Sequence, residues 1–96
     1  RGRPIGRPPH VDHRRMITVL LFGRLSDLAG WREQAIEPVP LTLSALKDQL
    51  ARRWPRLGDA LACPGVQAAI DKAVVRGDPR LAAGAEVAFM PPMSGG

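Results

Sequence analysis

The sequence predicts an α+β fold in which one main helix covers one face of a small sheet, and three observations carry that prediction. Met16-Ile17-Thr18-Val19-Leu20-Leu21-Phe22 alternates its side chains with a period of two, as a strand does. Leu43, Leu46, Leu50 and Trp54 recur at three- and four-residue spacing, as on one side of a helix. Glu86 to Met90 alternates again close to the C-terminal end of the sequence. Proline and glycine breaks divide the chain between these runs into short elements.

The first strand puts Ile17, Val19 and Leu21 on one face and Thr18, Leu20 and Phe22 on the other, so both faces are largely apolar. Gly23 ends it. Leu25 and Leu28 then predict a short helical turn closed by Gly30. Glu33 to Glu37 reads as a weaker second strand, stopped by Pro38 and Pro40 and paired with the first as a hairpin-like unit. Thr42 offers an N-cap hydroxyl to the main helix, whose polar side carries most of Lys47, Asp48, Arg52 and Arg53. Pro55 is expected to end that helix, with a loop running on through Gly58 and Gly65. Val66 to Ile70 and Ala73 to Val75 form two short strands around the turn-compatible pair Asp71-Lys72. Gly77-Asp78-Pro79 breaks the chain, Leu81 packs inward, Gly84 permits a tight reversal, and Glu86 to Met90 is the last strand. A single helix beside several strands covers its own sheet, which is how the leucine stripe is read here.

Composition bounds the rest. Ninety-six residues at 45% hydrophobic suit one domain with a modest core. Most of the net charge of +5 sits in residues 1–15, where Arg1, Arg3, Arg7, Arg14 and Arg15 oppose Asp12 alone. That stretch is rich in proline and glycine and has few apolar residues to offset ordering entropy, so it is expected to be a disordered basic leader, a processed or upstream-translated extension, or a remnant of expression. The domain is then 16–96. No aromatic is interleaved among the arginines to stack on bases, so no nucleic-acid partner is expected. His10 and His13 lack a preset geometry for a metal, and none is expected. Cys63 excludes an intrachain disulfide and reads as a structural or incidental thiol. No apolar run approaches the ~20 residues of a membrane span, so the expectation is a cytoplasmic protein without a membrane partner.

The two-sided strands have a consequence. One helix covers one face, yet Leu20 and Phe22 alternate against Ile17, Val19 and Leu21, and Ala88 and Met90 alternate against Val87 and Phe89. Apolar residues are left pointing away from the helix, and a contiguous exposed apolar patch marks an interface. Leu20, Phe22, Val74, Met90 and Met93 are the candidate partner-facing residues. The strand then runs into Pro91-Pro92-Met93-Ser94-Gly95-Gly96. Prolines keep an approach extended, and two glycines without Cβ let a partner's active site close around bare backbone. The α-carboxylate of Gly96 is the group best placed for activation.

The stretch Met16-Ile17-Thr18-Val19-Leu20-Leu21-Phe22-Gly23, the turn from Leu25 to Gly30, Thr42-Leu43 opening the helix, and Gly84-Ala85-Glu86-Val87-Ala88-Phe89-Met90-Pro91-Pro92-Met93-Ser94-Gly95-Gly96 together resemble the small subunits of molybdopterin synthases, over Met16 to Gly96. The family commonly ends in Phe-Phe-Pro-Pro, two residues and Gly-Gly; here Met90 stands in for the second Phe and keeps its apolar volume. The resemblance implies a ubiquitin-like β-grasp fold, a mixed sheet with one main helix on one face. It also implies a sulfur carrier in molybdenum cofactor biosynthesis without catalytic side chains of its own. An adenylating, E1-like enzyme would use Mg-ATP to convert the Gly96 carboxylate to an acyl-adenylate, and a sulfur donor protein would turn this into a thiocarboxylate. The large subunit would take the tail into its pocket, where the sulfur attacks cyclic pyranopterin monophosphate, in a heterotetramer. In this scheme Gly96 carries the sulfur, Gly95 and Ser94 give access, and Pro91 and Pro92 aim the tail. This chain itself would bind no cofactor, and Lys72 and Arg76 read as solvated surface charge.

Three other readings share these features. A related carrier for thiamine or cysteine synthesis has the same fold and ending, although the Phe89 to Pro92 stretch favours the molybdopterin branch. A ubiquitin-like modifier would join the activated terminus to lysines. A plain interaction module would use the apolar face and leave Gly96 inert.

Overall fold

The computed structural model describes residues 16–92; the leader expected at 1–15 and the tail residues Met93, Ser94, Gly95 and Gly96 lie outside the described residues. The strand-forming patterns produce strands where expected. Strand β1 (Ile17–Leu21) buries Ile17, Val19 and Leu21 and leaves Thr18 and Leu20 half-buried. The short helix α1 (Arg24–Ala29) follows and is closed by Gly30, which sits in the left-handed region at φ 87° and donates its N–H to the Ser26 carbonyl. Strand β2 (Glu33–Ile36) pairs antiparallel with β1 and ends ahead of Pro38, which has no N–H for a ladder.

Helix α2 (Leu43–Arg53) buries Leu43, Leu46 and Leu50, and the predicted N-cap forms: Thr42 Oγ1 accepts from the Ala45 N–H at 3.2 Å. A second cap comes from 34 residues away. The Ser44 N–H donates to Asp78 Oδ1 at 2.6 Å, and Ser44 Oγ donates to Asp78 Oδ2 at 2.8 Å. These bonds stabilise the charged carboxylate, so Asp78 titrates below its ordinary value of 3.8; the Ser44 N–H contributes most, then its hydroxyl, with Lys47 adding a smaller attraction against some desolvation. Leu43 N–H on the Pro79 carbonyl and Leu81 N–H on the Leu41 carbonyl complete this junction, and Leu81 turns inward as expected.

One expectation fails. Pro55 does not open a loop but begins a third helix, α3 (Pro55–Leu61), directly after the break at Trp54. Proline lacks an N–H that the first turn of a helix does not need, so it starts a helix as readily as it stops one. Leu57 and Leu61, one turn apart, are both buried. Gly58 belongs to this helix and not to a loop, and a Cβ placed on it would overlap Ala51 of α2, so its role is close helix contact. Trp54 lies just past α2 as its C-cap and stacks edge-on against Trp31, with ring centroids 5.0 Å apart.

Strands β3 (Gln67–Ile70) and β4 (Ala73–Val75) form an antiparallel hairpin whose turn residues Asp71 and Lys72 both take positive φ, 49° and 73°. Strand β5 (Glu86–Met90) then enters between β1 and β3. The sheet order is β2-β1-β5-β3-β4, with β1 and β5 parallel and every other pair antiparallel. This is the mixed β-grasp sheet that the resemblance implies. The core joins the inward residues of β1, β2 and β5, including Phe89, Val87 and Ile36, to Leu46, Leu50 and Leu57 of the helices. No helix among the described residues is long and apolar enough to cross a membrane.

Candidate functional site

Register fixes which residues share the face away from the helices. Leu20 pairs with Glu33 on β2 and with Ala88 on β5, Ala88 pairs with Ala69 on β3, and Ala69 pairs with Val74 on β4. Paired residues point the same way. A row therefore crosses the whole sheet as Glu33, Leu20, Ala88, Ala69 and Val74. The next row begins at Phe22, whose N–H donates to the Phe89 carbonyl at 3.2 Å, and continues through Met90 to Gln67. The structure thus brings together Leu20, Phe22, Val74 and Met90 on one face. Met93, the fifth candidate, lies outside the described residues.

Exposure separates this face from its reverse. Phe22 is 49% exposed and Val74 59%, whereas Val19, Val87 and Phe89 on the helix side are fully buried. Leu20, Ala88 and Met90 are half-buried. Ala69 was not legible as a member of the band from the sequence, because Gln67-Ala68-Ala69-Ile70 gives no strong alternation and only the pairing to Ala88 and Val74 assigns its side. Leu41, 63% exposed, precedes Thr42 at the N-terminus of α2 and does not belong to these rows.

The band leads directly to the tail. Strand β5 ends at Met90, Pro91 is half-buried against the body, and Pro92 is exposed. Ser94, Gly95 and Gly96, expected to supply access and the reactive carboxylate, lie outside the described residues. An open depression beside the band is lined by Phe22, Gly23, Arg24, Ser26 and Asp27, where β1 passes into α1. Cys63 is exposed after α3, its thiol 3.6 Å from the Asp59 carbonyl. Asp78, whose titration is displaced, caps α2 on the helix side. Among the described residues the face offers shape and apolar surface, and its strand β5 runs on into Pro91 and Pro92.

Residues 19–96 match the family model described as the ThiS family. The chain is 35% identical over 81 residues to the molybdopterin synthase sulfur carrier subunit of Escherichia coli strain K12, a match that spans 84% of this chain and all of that protein. Among solved structures it resembles SAMP1, small archaeal modifier protein 1, of Haloferax volcanii, at 25% identity and a TM-score of 0.71 over 84% of this chain and 99% of that one. Urm1 from Trypanosoma brucei shares the fold at 20% identity, with a TM-score of 0.66 over 90% of this chain and 100% of the other.

Proposed function

The chain belongs to the ThiS family, and from that premise we propose that it is the sulfur-carrying small subunit of a molybdopterin synthase. The observation that carries the reading is the continuity of the open apolar band with the tail: Phe22 and Met90 share one row, and the residues after Met90 are Pro91 and Pro92. A partner seated on the band therefore receives the end of the chain from a fixed origin. That partner is the large subunit, and Leu20, Phe22, Val74, Met90 and Met93 face it.

The chemistry takes place at the Gly96 carboxylate. A carboxylate is a poor electrophile. An adenylating enzyme first attaches AMP from Mg-ATP, releasing pyrophosphate, and the resulting mixed anhydride has a good leaving group. Hydrosulfide supplied by a donor protein then attacks the acyl carbon, forming the C–S bond as the C–O bond to AMP breaks and leaving a thiocarboxylate. In the large subunit this sulfur attacks the cyclic pyranopterin monophosphate, and water then cleaves the acyl C–S bond, leaving the sulfur on the pterin and Gly96 as a carboxylate. Gly95 and Ser94 keep the approach narrow, and the catalytic side chains belong to the partners.

Intact mass of the chain after incubation with the adenylating enzyme, Mg-ATP and a sulfur source tests the reading. The expected product is heavier by the exchange of one oxygen for sulfur, and a chain lacking Gly96 gains nothing. An unchanged wild-type mass, or full transfer by the shortened chain, overturns it. Likeness to SAMP1 supports a second reading, a protein modifier. Recovery of Gly96 in isopeptide linkage to lysines of other proteins would establish that one.

A further inference from the structure

We propose that Gly23 and Gly65 are positioning residues for sulfur delivery, forming a two-point seat that holds Pro91 and Pro92 because neither glycine carries a Cβ; the inference rests on the carrier reading above. The seat follows from the sheet. Strand β5 lies between β1 and β3. Leu21 pairs with Phe89, so two residues further on Gly23 comes level with Pro91; Gln67 pairs with Met90 in the opposite sense, so Gly65 comes level with Pro92. One glycine flanks each proline, from opposite sides of the tail strand.

The fit is tight for a side chain at Gly23 and closed to one at Gly65. A Cβ on Gly23 would lie 3.0 Å from Pro91 Cγ, and one on Gly65 would lie 2.7 Å from Pro92 Cβ. Pro92 cannot swing aside, because its ring is tied to the backbone and its Cβ is one bond from Cα. The backbone itself would have to shift. Gly23 and Gly65 also take positive φ, 59° and 91°, but so do Gly30 at 87° and Gly77 at 75°, and a Cβ on either of those meets nothing within 4 Å. Gly30 and Gly77 therefore share the conformational requirement without the contact. Contact with a proline is what separates the two pairs.

The seat matters because of reach. Four residues, 93–96, follow Pro92 and span at most about 14 Å, so where Pro92 is held bounds where the Gly96 carboxylate can be delivered. Misplacing a reacting group by about 1 Å can cost about 100-fold in rate. A seat at Pro91 and Pro92 is thus placed to set delivery while leaving docking through the open face unaltered.

The test compares Gly65→Ala with Gly77→Ala in the complete synthase reaction, with carrier already charged with sulfur. Gly65→Ala should lower the transfer rate at saturating carrier by about tenfold or more while the half-saturating concentration changes by less than about twofold. Gly77→Ala should leave both within about twofold and lose similar thermal stability. In the free chain, nuclear Overhauser contacts between Gly65 Hα and the Pro92 ring should be present in the wild type and in Gly77→Ala and absent in Gly65→Ala. Equal rates for the two variants, or no such contact in the wild type, overturn the proposal. A wild-type chain that never takes up sulfur instead overturns the carrier reading, and the delivery role with it. Should Gly65→Ala fail to fold, Gly23→Ala, whose added carbon meets only the Pro91 ring atoms Cγ and Cδ, is read in the same way against Gly30→Ala.

Discussion

The two faces of the sheet are built from the same strands and both carry apolar residues of β1 and β5, yet they have opposite fates. On the helix side Ile17, Val19, Val87 and Phe89 are fully buried. On the other side Leu20, Ala88 and Met90 remain half-buried, and Phe22 and Val74 are largely exposed. The difference does not lie in the strands, since β1 and β5 alternate apolar residues on both sides. It lies in what covers them: α2 and α3 contribute Leu46, Leu50 and Leu57 to one face only. A strand pattern apolar on both sides therefore records two demands, one from folding and one from a partner. Substitutions at adjacent positions should separate them.

The largest effect is expected at Phe89. Truncation to alanine removes a fully buried aromatic that pairs with Leu21 and Ala68, and losses of this type run to about 3–5 kcal/mol. Set against a total stability of about 5–15 kcal/mol, Phe89→Ala should lower the thermal midpoint steeply, as followed by circular dichroism. If the midpoint barely moves, the core is not organised around β5. One residue along, Met90→Asp should do the reverse, as should Phe22→Asp in the same row. Each should change stability by about 1 kcal/mol or less. Each should weaken large-subunit binding at least tenfold, about 1.4 kcal/mol, by titration calorimetry. Val74→Asp, at the sheet edge, should weaken binding less than Phe22→Asp. Unchanged affinity in all three would move the interface off this face.

How legible this contrast was in the sequence depended on range. Period-two runs exposed β1 and β5, the leucine spacing exposed α2, and Asp71-Lys72 gave away the hairpin turn, because each signal is local. Helix α3 escaped because Pro55 was read as a stop, although Leu57 and Leu61 sit one turn apart and proline is at home in a first turn. Gly58 was misread with it, since a glycine needed for close packing and a glycine needed for a loop are the same letter. Ala69, the Gly23 and Gly65 contacts and the Asp78 cap depend on which strand lies beside which, or on a bond spanning 34 residues. No periodicity reports such pairings. The band's outer residues were visible because alternation alone exposes them, and its small middle residue was not.

The Asp78 cap supplies the finest separation of the two faces, because it acts on the cover and not on the open side. Its carboxylate holds the first turn of α2 through Ser44, and α2 carries Leu43, Leu46 and Leu50 over the inner face. Folding lowers the Asp78 pKa below 3.8. The unfolded chain therefore takes up a proton before the native one does, so this stabilisation is complete above the unfolded value and fades as pH falls through the lower, native value. Asp78→Asn keeps one acceptor oxygen for the Ser44 N–H but loses the charge and the acceptor for Ser44 Oγ. The variant should be modestly less stable than the wild type at neutral pH, with faster amide exchange at Ser44 and Ala45. The gap should hold down to about pH 5 and narrow below about pH 4, so the wild-type stability falls more steeply with acid there. Affinity for the large subunit should not change, because the open face lies on the far side of the sheet. A gap that widens in acid would reverse the sign and show that the carboxylate is not what secures the helix; a loss of affinity would show that the two faces are coupled through α2.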